Sequence, residues 1–175
     1  MSLSKGENLI LNIIRLDPGL GKTAVMKIMY MLQEVKGIRT GYDFSIYTYG
    51  PYAAEIMEDI DDLSANGYIS CSMYPSHTYI GYKLVIKDQG EKAITQLNGN
   101  DTTALKDVVK FAENKTAKEL ELYSTIIYAD QLIRKNSWEN SLNNLTKMVH
   151  EMKPHFDDDH IHSAYQLLKT NDYVS

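Results

Sequence analysis

The chain has 175 residues, 18 Lys plus Arg against 23 Asp plus Glu, and a formal net charge of −5. With 43% apolar and 23% charged residues it has the composition of one globular domain or two small ones, which excludes disordered, collagen-like and low-complexity classes. A single Cys excludes a disulfide framework and a Cys-based zinc finger. Asn8–Arg15 predicts a short helix with Ile10, Ile13 and Ile14 on one face, closed by the turn signal Asp17-Pro18-Gly19. A second helix is expected over 22–36 on the stripe Val25, Ile28, Met29, Leu32 and Val35, ended by Gly37.

Residues 40–49 change period: Tyr42, Phe44 and Ile46 alternate with polar neighbours, as in a strand. Tyr49, Gly50 and Pro51 form a structural turn motif, with Pro51 placed in the first turn of a third helix that runs to about Asn66. Two strands follow, 68–74 and 79–86, joined by a loop of about four residues. A short helix over 89–97 leads to the linker candidate 98–101. Beyond it, helices are expected over 102–114, 116–134, 137–152 and 157–169. The 116–134 helix carries two apolar stripes, so it is expected to be buried on two sides and to join the halves.

The expected fold class is therefore α+β and mostly helical. Residues 1–99 form a winged helix-turn-helix-like unit and 100–175 a helical C-terminal unit, or the two merge into one compact domain. Leu63-Ser-Ala-Asn-Gly-Tyr-Ile-Ser70 is echoed by Leu168-Lys-Thr-Asn-Asp-Tyr-Val-Ser175, an internal similarity that reads as a truncated repeat of the first unit. Chance is the competing reading, because a helix ending in Asn before a β-branched run is common. A C-terminal strand without a hairpin partner would need pairing elsewhere, which argues for a homodimer.

Most tempting chemical motifs have simpler explanations. Gly19-Leu20-Gly21-Lys22-Thr23 resembles the end of a P-loop, yet the required earlier glycine is Leu16 and no strand precedes it. His155, Asp157, Asp158, Asp159, His160 and His162 hint at a metal, but His160 and His162 point apart on a helix, and aspartates at a helix start act as caps. Cys71 reads as a structural thiol. Eight tyrosines between 42 and 82 fit a wet core edge better than a base-stacking platform. No cofactor, metal or catalytic group is expected.

Charge is the most informative feature. The segment 51–67 holds Glu55, Glu58, Asp59, Asp61 and Asp62, and no Lys or Arg occurs between 51 and 82. A winged helix reads DNA by its third helix, and phosphate would repel this one.

Tyr49-Gly50-Pro51-Tyr52, preceded by Gly41-Tyr42-Asp43-Phe44 and followed by Leu63 and Gly67-Tyr68-Ile69, resembles the YwgA-like group of prokaryotic proteins. Lys153-Pro154-His155-Phe156 and Ala164 with Leu167-Leu168 match its C-terminal half. The chain is more distantly similar to the Panacea domain of SocA-like antitoxins, although Thr48 replaces the aromatic that precedes Tyr-Gly-Pro there. The resemblance implies a helix-rich fold with a winged-helix-like part, and toxin-neutralising or adaptor roles exercised through protein contacts. It carries over no catalytic residue.

The expected function is that of a non-enzymatic, cytoplasmic interaction module, regulatory or antitoxin-like, with a protein partner. Its contact stripe would be Glu55, Glu58, Asp59 and Asp62, opposite Ile56, Ile60 and Leu63. The alternative is a DNA-binding regulator that uses a wing at His77, Lys83 and Lys87. No membrane association is expected: no apolar run reaches the roughly 18 residues that span a bilayer, and Leu9–Ile14 is too short for a signal-peptide core.

Overall fold

The computed structural model describes residues 2–75 and 80–175. It is mostly helical α+β: among the described residues, eight α-helices accompany two small antiparallel sheets. The chain divides into two compact units, one built from residues up to Phe44 with Ala53–Asn114, the other from Ser45–Tyr52 with Lys115–Ser175.

In the first unit, α1 (Lys5–Leu16) opens with a capping box between Ser4 and Glu7. It starts a turn earlier than its apolar pattern suggests, because the cap lies ahead of the first isoleucine. α2 (Lys22–Glu34) follows Gly21 and buries Val25, Ile28, Met29 and Leu32. α3 (Ala54–Ala65) buries Ile56, Ile60 and Leu63. The hairpin β3 (Ile69–Pro75) and β4 (Ile80–Ile86) pairs Ile69 with Ile86 and Cys71 with Leu84. Its connecting residues, His77 and Tyr79 included, lie outside the described residues. Gly19 donates its N–H to the Leu84 carbonyl at 2.8 Å and Leu84 donates to the Leu20 carbonyl at 2.9 Å. The Gly-Leu-Gly-Lys-Thr stretch is thus a backbone rail beside β4 followed by a helix start.

α4 (Asp88–Ala93) and α5 (Gly99–Ala112) complete this unit, with α5 packed on α2 and α1. Two expectations change here. The linker candidate 98–101 is a helix start: Asn98 accepts the Asp101 N–H and α5 begins at Gly99. Residues 100–114 accordingly sit with the N-terminal helices rather than with the C-terminal ones, held by buried Leu105, Val108 and Val109.

The second unit contains a further hairpin, β1 (Ser45–Tyr47) and β2 (Gly50–Tyr52), in which Pro51 pairs with Ile46. Pro51 is therefore a strand residue and not the first turn of a helix; a two-strand sheet has only edges, where proline's missing donor costs least. α6 (Ala117–Lys135) is buried on all sides over Leu120–Ile127 and packs on β2, α7 (Leu142–Met152) and α8 (Asp158–Thr170). α7 is shorter than the expected 137–152, since Ser141 supplies its cap.

The 63–70 and 168–175 similarity is a shared helix ending. Tyr68 donates to the Leu63 carbonyl and Tyr173 to the Leu168 carbonyl, both at 2.9 Å, while Gly67 and Asp172 have positive φ. This is the Schellman arrangement. α6 ends the same way, with Trp138 donating to Ile133 and Ser137 at positive φ. The motif recurs because asparagine caps suit it, so it gives no support to a repeated unit. Nor does a strand follow: Tyr173 and Val174 are buried, and Ser175 bonds Asp130 through its hydroxyl at 2.7 Å. The expected unpaired strand, and with it that argument for a homodimer, falls away.

Gly90 tests the packing between α4 and the hairpin. A methyl there would lie 2.8 Å from an Ile86 side-chain carbon and 3.1 Å from the Tyr68 carbonyl carbon. Gly90→Ala is expected to cost about 1–3 kcal/mol by urea titration. Gly99→Ala, with nothing near it, should stay within about 0.5 kcal/mol of the parent.

Candidate interaction surface

α3 has no side-chain N-cap; Glu55 in its first turn faces the helix's positive end. With Ile56, Ile60 and Leu63 buried, helical geometry puts Glu55, Glu58 and Asp62 outward, and all three are exposed. Asp61 is also exposed but is taken by Lys22, whose Nζ lies 2.5 Å from its carboxylate and sits over the Tyr82 ring.

Asp59 differs from the rest of the predicted stripe. It is half-buried and accepts a hydrogen bond from the Tyr42 hydroxyl. Tyr42 itself is buried, with its ring against Gly6 in the first turn of α1. Burial, reinforced by the bond to Asp59, pushes the Tyr42 phenol well above its usual range. Burial also pushes the Asp59 carboxyl up; Glu7, Asp62 and Glu55 push the same way, and the Tyr42 hydroxyl opposes them. Asp59 is thus a positioning residue for α3. Glu55 and Asp59 line one cavity of about 430 Å³ with Lys5, Arg39 and Tyr42. Arg39 and Lys5, the latter paired with Asp101 at 2.8 Å, therefore lie at the Glu55 end of the stripe, and Glu58 and Asp62 lie outside that cavity.

The wing residues are spread out. Lys83 is exposed and lies over the Tyr74 ring, while Lys87 is exposed at the N-cap of α4. His77 is outside the described residues. The tyrosines also divide: Tyr42 is core, whereas Tyr47 and Tyr49 are 66% and 70% exposed. The C-terminal histidines take separate partners, His160 with Asp157, His150 with Asp158 and His162 with Thr146. No group of three or more His, Cys, Asp or Glu side chains suited to a metal converges among the described residues. None of their helices is long and apolar enough to cross a membrane.

Within the second unit, the two short motifs at 49–52 and 153–156 come together. Lys153 is 1% exposed; its Nζ lies 2.8 Å from Glu121 of α6, off the hydrogen-bonding axis, and 5.9 Å from the centre of the Tyr49 ring. His155 approaches the same carboxylate at 3.8 Å from the solvent side. Sequence reasoning missed this pair and the Tyr42–Asp59 bond. For the first a signal existed: Glu121 interrupts the apolar run of a helix buried on all sides. For the second there was none, because the partners are 17 residues apart on different elements.

No protein-family model matches the chain. As a mostly helical α+β protein it is similar to the uncharacterized protein YwgA of Bacillus subtilis (strain 168). The two are 25% identical over 114 residues, 65% of this chain and 67% of YwgA. This weak likeness supports a YwgA-like relationship and brings no activity with it.

Two measurements follow from the geometry. A proton on Asp59 is held more tightly in the folded state than in the unfolded one. The stability it supplies is full below the usual carboxylate pKa of about 3.8 and is lost as pH rises through the raised value. Parental stability should therefore fall relative to Asp59→Asn as pH rises from that point, and parallel urea-derived profiles would refute it. For the buried pair, Lys153→Met should cost about 3 kcal/mol by leaving Glu121 uncompensated, and adding Glu121→Gln should recover part of that loss.

Proposed function

We propose that this chain is a non-enzymatic, winged-helix-like interaction module of YwgA-like type, regulatory or antitoxin-like in role, that binds a basic protein surface through α3. The observation that carries the reading is the exposed face of Glu55, Glu58 and Asp62, within a stretch from 51 to 82 that has no Lys or Arg. The winged-helix element is supported by the order α1, α2, α3, β3, β4 and by the backbone bonds that lay Gly19–Leu20 along β4. On this reading the resemblance of the stretch around Tyr49-Gly50-Pro51 to SocA-like antitoxin domains, which carries over no catalytic residue, argues for protein contact over catalysis. A DNA reader would have to rely on Lys83 and Lys87 while holding its third helix away from phosphate, which makes nucleic acid the weaker reading.

The decisive variant is Glu58→Lys with Asp62→Lys, which reverses two exposed acids of the stripe and spares Asp59. Both side chains are exposed, so the melting temperature should hold within a few degrees. Proteins that co-purify with the parental chain should be lost from the variant. Identical capture by both removes α3 as the contact surface. A gel shift on genomic fragments that weakens steeply with salt would favour the DNA reading instead.

A further inference from the structure

The first unit holds a second feature that the α3 surface does not use. α1 is apolar throughout its middle except for two asparagines one turn apart, Asn8 and Asn12, both nearly fully buried. Burying an amide is costly unless its bonds are satisfied. Asn8 spends both ends of its amide on one residue: it accepts the Thr95 N–H at 2.9 Å and donates to the Thr95 carbonyl at 3.1 Å. This pins the irregular segment between α4 and α5 against α1. Asn12 donates to the Asn8 carbonyl at 2.8 Å and accepts from an Arg15 guanidinium nitrogen at 2.7 Å. The first asparagine fixes a wall and the second fixes a cation.

Between that wall, α1 and α5 lies a cavity of about 420 Å³. Arg15 and Lys106 supply its positive charge, and Ile94, Leu97 and Leu105 its apolar lining. The volume falls within the range of small-molecule sites. Arg15 has more donors than Asn12 uses: its exposed ion pair with Glu91 is loose, at 4.0 Å, and leaves hydrogen-bonding capacity on the guanidinium. A fork-shaped cation held by a buried amide, with a second cation and aliphatic side chains lining the same cavity, suits a planar anionic head on a short apolar body.

We propose that this cavity binds a small carboxylate with a short aliphatic body, its head on Arg15 and Lys106 and its body on Ile94, Leu97 and Leu105. The site is independent of the α3 surface. Hexanoate, hexylammonium and inorganic phosphate are to be titrated into the full ¹⁵N-labelled chain and followed by amide shifts. Hexanoate should give saturable shifts centred on Asn12, Arg15, Thr95–Leu97 and Lys106. Arg15→Gln, whose fold is checked by its melting temperature and its unshifted spectrum elsewhere, should weaken binding at least about tenfold. Should Arg15→Gln fail to fold, Lys106→Gln on the exposed rim should weaken it in the same direction. The proposal is overturned if hexanoate gives no saturable shifts there, if both variants bind it as tightly as the parent, or if hexylammonium binds equally well. Binding of phosphate without hexanoate also overturns it, since that describes a plain anion site with no role for the apolar lining.

Discussion

The first unit turns on one side chain, Tyr42. Its ring lies where a side chain at residue 6 would have to go, so α1 opens with glycine at that turn, and its hydroxyl reaches Asp59 on α3. Three elements distant in sequence are thereby fixed together. The consequence for α3 is rotational: with Asp59 tied inward on one flank and Lys22 holding Asp61 on another, the helix cannot roll without breaking a bond. What is left facing water is set by those two ties as much as by Ile56, Ile60 and Leu63. The surface proposed for recognition is thus defined by the acids the fold has already used.

Buried polar groups do similar work elsewhere in the molecule, each inside its own unit. Asn8 and Asn12 lie in a helix whose other central residues are Leu and Ile. Glu121 and Asp130 lie in α6, the first facing Lys153 at 2.8 Å, the second fully buried between Arg134 at 2.8 Å and Ser175. An apolar replacement of similar shape is often as stable as a buried ion pair. These groups therefore contribute little to the sum of stability compared with the aliphatic core around them. Their bonds are directional, so each ties its helix to one named partner, whereas aliphatic contacts are non-directional.

The helices were legible because their apolar periods are long and regular, and the β3–β4 hairpin because two short runs, each opening on a tyrosine and lacking a helical period, flank the turn signal Pro75-Ser76-His77. What failed to read were positions where a local signal has two structural outcomes. Gly50-Pro51 suits a helix start or a strand edge, and pairing with Ile46 decides for the strand. Asn98-Gly99 suits a linker or a capped helix, and burial of Leu105 and Val108 decides for the helix. Tyr173-Val174 has strand propensity, yet the bonds from Tyr173 to Leu168 and from Ser175 to Asp130 hold it as a docked tail. The acidic stripe was half legible. Helical spacing placed Glu55, Glu58 and Asp62 outward, but spacing alone cannot reveal that Asp59 has a tyrosine waiting for it.

The net charge of −5 looks like a modest global property, yet it equals the charge of the segment 51–67 alone, with the rest of the chain summing to zero. In the fold this concentration is partly neutralised by Lys22 at Asp61, while Asp59 is tied to the Tyr42 hydroxyl. The remaining exposed acids of the segment are Glu55, Glu58 and Asp62. Exposed charges of this kind act over about 8 Å at physiological salt, and at a rim they govern the rate of encounter and the rejection of wrong partners more than the depth of the bound well. An acidic helix in the place where a DNA reader needs a basic one is then informative as exclusion. Phosphate is repelled by such a face, so the partner that complements it on the proposed reading is a positively charged protein surface.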